Sequence, residues 1–166
     1  ISSAGPVCAV ALCVALLRDA SVERVWCAPG NAGTARDVEN VEVDPSSGAS
    51  VAALAGALGA DLAVIGPEGP LVAGVADAVR TVGIPCFGPT AGAARLEGSK
   101  AFAKEVMTAA GVPTARSHAC TTPAEAAAAL DAFGSPYVVK DDALAAGKGV
   151  LVTDDRDAAL AHAASC

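Results

Sequence analysis

Short apolar runs, each closed by a turn rich in glycine and proline, alternate along this chain with Ala- and Leu-rich stretches. That alternation constrains the fold more than any other feature. Parallel strands need a crossover between them, usually a helix, so a run–helix–run pattern predicts a parallel α/β arrangement. The runs fall at 23–28, 40–43, 61–65 and 84–87, and the helical stretches at 7–18, 48–59 and 71–82. The expected architecture for residues 1–112 is α/β, a doubly wound parallel sheet. Its ligand crevice should lie at the C-terminal ends of the strands.

The pattern changes after Ser99. A helix is expected over 100–110, stopped by Gly111 and Pro113, and residues 114–120 read as extended. A second helix is expected over 122–131, capped by Thr121 or Thr122 with Pro123 in its first turn. Strands at 137–140 and 150–152 flank a small-residue loop, and a last helix covers 155–164. A domain boundary is expected at 112/113, leaving 113–166 as an incomplete second domain.

Composition excludes several classes. Hydrophobic residues at 53% and charged residues at 17% supply a core, which rules out a disordered tail. No run approaches the roughly 18 apolar residues of a membrane span. The apolar segment 7–17 follows no basic region and leads straight into structured pattern, which argues against a signal peptide. A net charge of −7 without a basic patch, and 3% aromatics, argue against a nucleic-acid partner. The six cysteines include no CxxC pair. They are expected to be small buried hydrophobes in a reducing compartment, hence the cytoplasm. The single methionine is Met107, and both ends read as cut.

Four turns carry candidate chemistry. The first, PGNAGT at 29–34, offers Gly30 and Gly33 for close backbone approach and Asn31 and Thr34 as side-chain donors. An ordinary strand-to-helix turn would read the same. The second, GPEGPL at 66–71, places Gly66, Pro67 and Glu68 at a strand end, where Glu68 accepts from an amine or hydroxyl or simply favours a helix dipole. The third, FGPTAGAARLEGSK at 87–100, ends in Gly98 and Ser99 before a helix. Free N–H groups there suit an anion beside Lys100. The alternative is a Ser99 cap with a surface lysine. The fourth, VVKDDALAAGKGV at 138–150, has Lys140 closing a strand and Lys148 between Gly147 and Gly149. Backbone N–H groups with two lysines suit nucleotide phosphates. No Walker A sequence is present.

In order and spacing, these four motifs resemble phosphoribosylamine–glycine ligase, also called glycinamide ribonucleotide synthetase, over essentially the whole chain. The last motif alone would indicate only an ATP-grasp relative. The resemblance implies a substrate-binding, Rossmann-like pre-ATP-grasp domain over 1–112 followed by the start of an ATP-grasp α+β domain. It implies a ligase that joins glycine to 5-phosphoribosylamine in purine biosynthesis, using ATP with Mg²⁺ or Mn²⁺ through a glycyl phosphate. It also implies that Gly30, Asn31, Gly33, Thr34, Gly66, Pro67 and Glu68 line the phosphoribosylamine crevice. Lys100, Lys140, Gly147, Lys148 and Gly149 would hold ATP phosphates. The metal ligands belong to the part of the family fold beyond this chain, so the chain by itself is expected to be inactive. The family's N-terminal glycine-rich turn is replaced here by a stretch containing Ser2, Ala4, Pro6, Val7 and Cys8. Its K-A-D-G-L reads Lys140-Asp141-Asp142-Ala143-Leu144, which sets an extra acid beside the phosphate subsite. The alternatives are a non-catalytic α/β nucleotide-binding-like module or part of another ATP-grasp ligase.

Overall fold

A computed structural model describes residues 6–144 and 149–166. Packing divides the chain into two units, 1–94 and 95–166. The boundary expected from sequence, 112/113, lies further along the chain, after the helix at Lys100–Ala109.

In the first unit, α1 (Pro6–Leu17) precedes β1 (Trp26–Cys27), a 3-10 turn (Thr34–Arg36) and β2 (Glu39–Asn40). Next come α2 (Gly48–Ala57), β3 (Ala63–Val64), α3 (Glu68–Val72), α4 (Val75–Thr81), β4 (Cys86–Phe87) and the start of α5 (Ala91–Gly98). The α/β class is as expected, and its ladders are two parallel pairs. β1 pairs with β2 in the register Cys27 to Asn40, and β3 pairs with β4 in the register Val64 to Phe87. Each strand is shorter than the apolar run that predicted it.

The main core is built from Val51, Val75 and Val79, all fully buried, with Ala52, Ala63, Ile65, Leu71 and Ala76. Alanines on α2 and α4 let the two helices approach closely: a Cβ added at Gly48 would lie 2.8 Å from that of Ala78. α2 begins where the Ser47 side chain accepts a hydrogen bond from the Ser50 N–H, which satisfies one free donor of the first turn.

One helical expectation is corrected, and one helix is unexpected. The helix expected over 71–82 is broken into α3 and α4, because Gly74 between them has φ +80. That left-handed conformation cannot continue a right-handed helix. The stretch that forms α5 reads in sequence as turn and loop, because Gly92 and Gly98 look like punctuation. Tertiary anchoring makes it helical instead: the Asp77 carboxylate accepts from the Ala91 N–H at 2.8 Å, at the positive end of the helix.

The second unit holds α6 (Lys100–Ala109), α7 (Pro123–Phe133), β5 (Tyr137–Lys140), β6 (Val150–Thr153) and α8 (Arg156–Ser165). Residues 114–120 form neither helix nor strand. β5 and β6 make an antiparallel hairpin, Val138 opposite Val152 and Lys140 opposite Val150. Thr122 caps α7 by accepting from the Glu125 N–H, and Glu125 reaches back to the Thr121 N–H at 2.7 Å. Those bonds hold the exposed Glu125 carboxyl below its usual range. Asp155 caps α8, and Arg156 forks onto Asp131 of α7 at 2.7 and 3.1 Å.

The cysteines divide. Cys13 and Cys27 are buried together beneath α1, and Cys86 is half-buried, as small hydrophobes. Cys8, Cys120 and Cys166 are exposed, contrary to expectation, because each sits on an outward helix face or beyond the core. Burial, and then the neighbouring Cys27, push the Cys13 thiol up from 9.0 to about 11. A raised folded-state value means that the folded chain keeps a proton the unfolded chain releases. The stabilisation is complete below the unfolded value and is lost as pH rises through the folded one. Urea unfolding should therefore show stability falling between pH 9 and 11, the window those two values define. Cys13→Ala should flatten that fall, and an unchanged slope would show that Cys13 does not titrate with folding.

Candidate functional site

The first turn, at the end of β1, is organised around its own side chains. Gly33 N–H donates to Asn31 Oδ1 at 2.8 Å, and Thr34 N–H donates to the same oxygen at 3.2 Å. The Thr34 hydroxyl accepts from the Asn31 N–H at 2.8 Å and lies 2.8 Å from Asn40 Oδ1. Asn40 Nδ2 donates to the Asn31 carbonyl at 2.9 Å. Thr34 is fully buried. Its hydroxyl and the Asn31 carboxamide oxygen thus shape the loop from inside. Gly30 bends the backbone of the turn, with φ +78. A Cβ at Gly30 would overlap the Asn40 carboxamide. Asn40, at the end of β2, is a site residue that sequence reasoning misses. Nothing local marks it, because its partners lie six and nine residues away.

The second and third turns meet each other. Ile65 N–H donates to the Phe87 carbonyl at 2.9 Å, and Gly88 lies against Ile65 and Leu71. Pro67 is buried as the N-cap of α3, and Glu68 is exposed as its first residue, with Gly66 exposed before it. Sequence reasoning also misses Arg80 of α4. Its guanidinium donates to the Cys86 carbonyl at 3.0 Å and to the Gly88 carbonyl, and pairs with Asp77 at 3.3 Å. The i, i+3 spacing of Asp77 and Arg80 on one helix is the available signal. The structure thus gathers the expected crevice residues into two groups on separate ladders. Gly30, Asn31, Gly33 and Thr34 sit with Asn40 on β1–β2, while Gly66, Pro67 and Glu68 sit beside Gly88 on β3–β4.

In the second unit, the α6 N-terminus is not the open anion site expected. Ser99 Oγ accepts from the Phe102 N–H at 3.1 Å, and the Asp142 carboxylate takes the Ala101 N–H at 2.7 Å and the Ser99 hydroxyl at 2.8 Å. Lys100 Nζ donates to the Ala143 carbonyl at 2.8 Å. Lys140 is exposed at the end of β5. The ladder runs one bond further, from the Asp141 N–H to the Gly149 carbonyl at 2.7 Å. The Asp141 carboxylate accepts from the Ala143 N–H at 3.0 Å, so this extra acid turns the chain into the loop. Lys100, Lys140 and Gly149 are therefore gathered around one hairpin end. Gly147 and Lys148 lie outside the described residues. A surface hollow lined by Lys104, Thr114, Arg116, His118 and Phe133 contains none of the expected site residues.

Comparison with known proteins bears on this arrangement directly. Residues 8–97 match the family model "Phosphoribosylglycinamide synthetase, N domain", and residues 98–166 match "Phosphoribosylglycinamide synthetase, ATP-grasp (A) domain". The chain belongs to the phosphoribosylglycinamide synthetase family.

Relatives in this family are close. The chain is 68% identical over 156 residues to a phosphoribosylamine–glycine ligase of Streptomyces coelicolor, covering 94% of this chain and 38% of that protein. It is 62% identical over 159 residues to the one from Mycobacterium leprae, covering 93% and 38%. Among solved structures, the phosphoribosylamine–glycine ligase of Thermotoga maritima matches with a TM-score of 0.68 at 32% identity, over 92% of this chain and 34% of that one. The biotin carboxylase subunit of pyruvate carboxylase matches with a TM-score of 0.52 at 21% identity, over 92% and 37%, and shares the fold alone. The chain thus spans about 38% of the length of these curated relatives. The two family models meet at 97/98, near the packing division at 94/95. Among the described residues no helix is long and apolar enough to cross a membrane.

Proposed function

We propose that this chain is the N-terminal portion of a phosphoribosylamine–glycine ligase, an ATP-dependent carbon–nitrogen ligase. The reaction joins glycine to 5-phosphoribosylamine with release of ADP and phosphate, in cytoplasmic purine biosynthesis. The observation that carries this reading is the succession of two models of one family across residues 8–97 and 98–166. In this reading residues 1–112 form the substrate-binding domain and 113–166 the start of the ATP-grasp domain. The backbone at Gly30 and Gly33, positioned from within by Asn31 and Thr34, lines the phosphoribosylamine crevice with Gly66, Pro67 and Glu68. Lys100, Lys140 and Gly149, with Gly147 and Lys148, neutralise and cradle the ATP phosphates.

Among the described residues no group of three or more His, Cys, Asp or Glu side chains is placed to hold a metal ion. Those residues do not supply the donor set for Mg²⁺ or Mn²⁺. Phosphoryl transfer rests on metal neutralisation of phosphate charge, so the 166-residue chain is expected to bind nucleotide without turning it over.

Calorimetric titration with ATP at fixed Mg²⁺ and ionic strength tests the reading. The parent chain should bind, and Lys140→Ala should weaken binding by at least about tenfold, equivalent to about 1.4 kcal/mol. The same parent sample, given glycine and phosphoribosylamine, should release no ADP above a blank. Equal ATP affinity in parent and Lys140→Ala would remove Lys140 from the nucleotide site.

A further inference from the structure

We propose that Asp142 is a positioning residue that sets Lys100 against the end of β5. The inference rests on the reading that Lys100 and Lys140 face ATP phosphates. Lys100 is the first residue of α6, where the positive end of the helix dipole disfavours a cation. An opposing charge is needed there, and Asp142 supplies it from the far side of the hairpin loop. Its two carboxylate oxygens take the Ala101 N–H and the Ser99 hydroxyl, one residue either side of Lys100. The next residue, Ala143, receives the Lys100 ammonium on its carbonyl. Three consecutive residues of α6 and its cap are thus bound to two consecutive residues of the loop stem, 41 to 43 positions away in sequence.

A free lysine side chain carries rotamer entropy that ordering forfeits. Fixing its backbone and its ammonium at the stem that follows Lys140 places this cation before any nucleotide arrives. That is preorganisation, and it reduces the ordering cost of binding. Ser99 by itself caps α6, so the cap does not require Asp142. The carboxylate's separate contribution is the link to the hairpin.

The test uses Asp142→Ala, Asp142→Asn and Ser99→Ala in the 166-residue chain, with two readouts. The first is acylation of lysines by an N-hydroxysuccinimide ester, followed by peptide mass spectrometry without ligand. Lys104, whose ammonium is held by Thr114 and Ala115, serves as the internal reference. The Lys100-to-Lys104 ratio should rise several-fold in Asp142→Ala, recover in part in Asp142→Asn, and rise less in Ser99→Ala, which removes one of the two bonds of Asp142. The second readout is calorimetric ATP affinity, expected to fall by about tenfold in Asp142→Ala, or about 1.4 kcal/mol. A ratio unchanged in Asp142→Ala, or shifted equally by Ser99→Ala, overturns the proposal, as does an unchanged ATP affinity where the parent binds. If the ratio shifts but no sample binds ATP, the positioning of Lys100 by Asp142 stands and the nucleotide reading fails. Asp142→Asn carries the test if Asp142→Ala does not fold.

Discussion

Gly30→Ala lowers the unfolding free energy of the chain by about 2–4 kcal/mol in urea denaturation. Two costs add. The φ of +78 at Gly30 is a conformation that a residue with a Cβ adopts only at a penalty of about 1 kcal/mol. The new methyl would also occupy the space of the Asn40 carboxamide. Displacing Asn40 removes one bond of the fully buried Thr34 hydroxyl and one donor to the Asn31 carbonyl, while both keep bonds within the turn. Each hydrogen bond lost costs about 0.5–1.5 kcal/mol. Gly59→Ala separates the two costs: Gly59 has φ +61, and a Cβ there would meet nothing within 4 Å, so it reports the backbone cost alone. If the two substitutions cost the same, Asn40 moves aside freely and the network does not hold the turn.

Arg80→Ala is expected to cost about 2–3 kcal/mol, because hydrogen bonds to a charged group are worth about 1.5–3 kcal/mol each and the site is only half-buried. Arg80 ties α4 to the Cys86 and Gly88 carbonyls at the end of β4, and it holds Asp77 where that carboxylate caps α5. One guanidinium thereby fixes the start of the third turn against α4. Arg80→Lys should recover little, since an ammonium lacks the planar fork that reaches two carbonyls and a carboxylate together. Thermal unfolding of both variants and of Asp77→Asn reads the effect. Full recovery by Arg80→Lys would reduce the interaction to a simple charge contact.

These two networks mark where sequence reading stops. The α/β alternation, the two strands β5 and β6 flanking a small-residue loop, and the capping of α6 and α7 by Ser99 and Thr122 are legible. Each rests on period, on turn residues, or on a side chain reaching an N–H three residues on. The four motifs carry the family resemblance for the same reason: each is a continuous stretch of chain. Asn31 and Thr34 read as donors to a ligand, and their residue types are right for that. Only the folded chain shows Asn31 Oδ1 accepting from its own loop and the Thr34 hydroxyl bonded to Asn31 and Asn40.

The sequence by itself determined which residues could form helices, strands and turns, and placed the chain in its family. Tertiary structure decided which polar groups face one another. Asp77 reaches Ala91 across 14 positions, and Asp142 reaches Ala101 across 41. No local period encodes such pairs, because they exist only after strands and helices have packed. It also decided that α3 and α4 are separate and that Ala91–Gly98 is a helix despite its glycines. The α3–α4 break lies at the left-handed Gly74, while the other cases share one physical reason. Local propensity is worth tenths of a kcal/mol to about one per residue, and burial with long-range hydrogen bonding outweighs it wherever the two disagree.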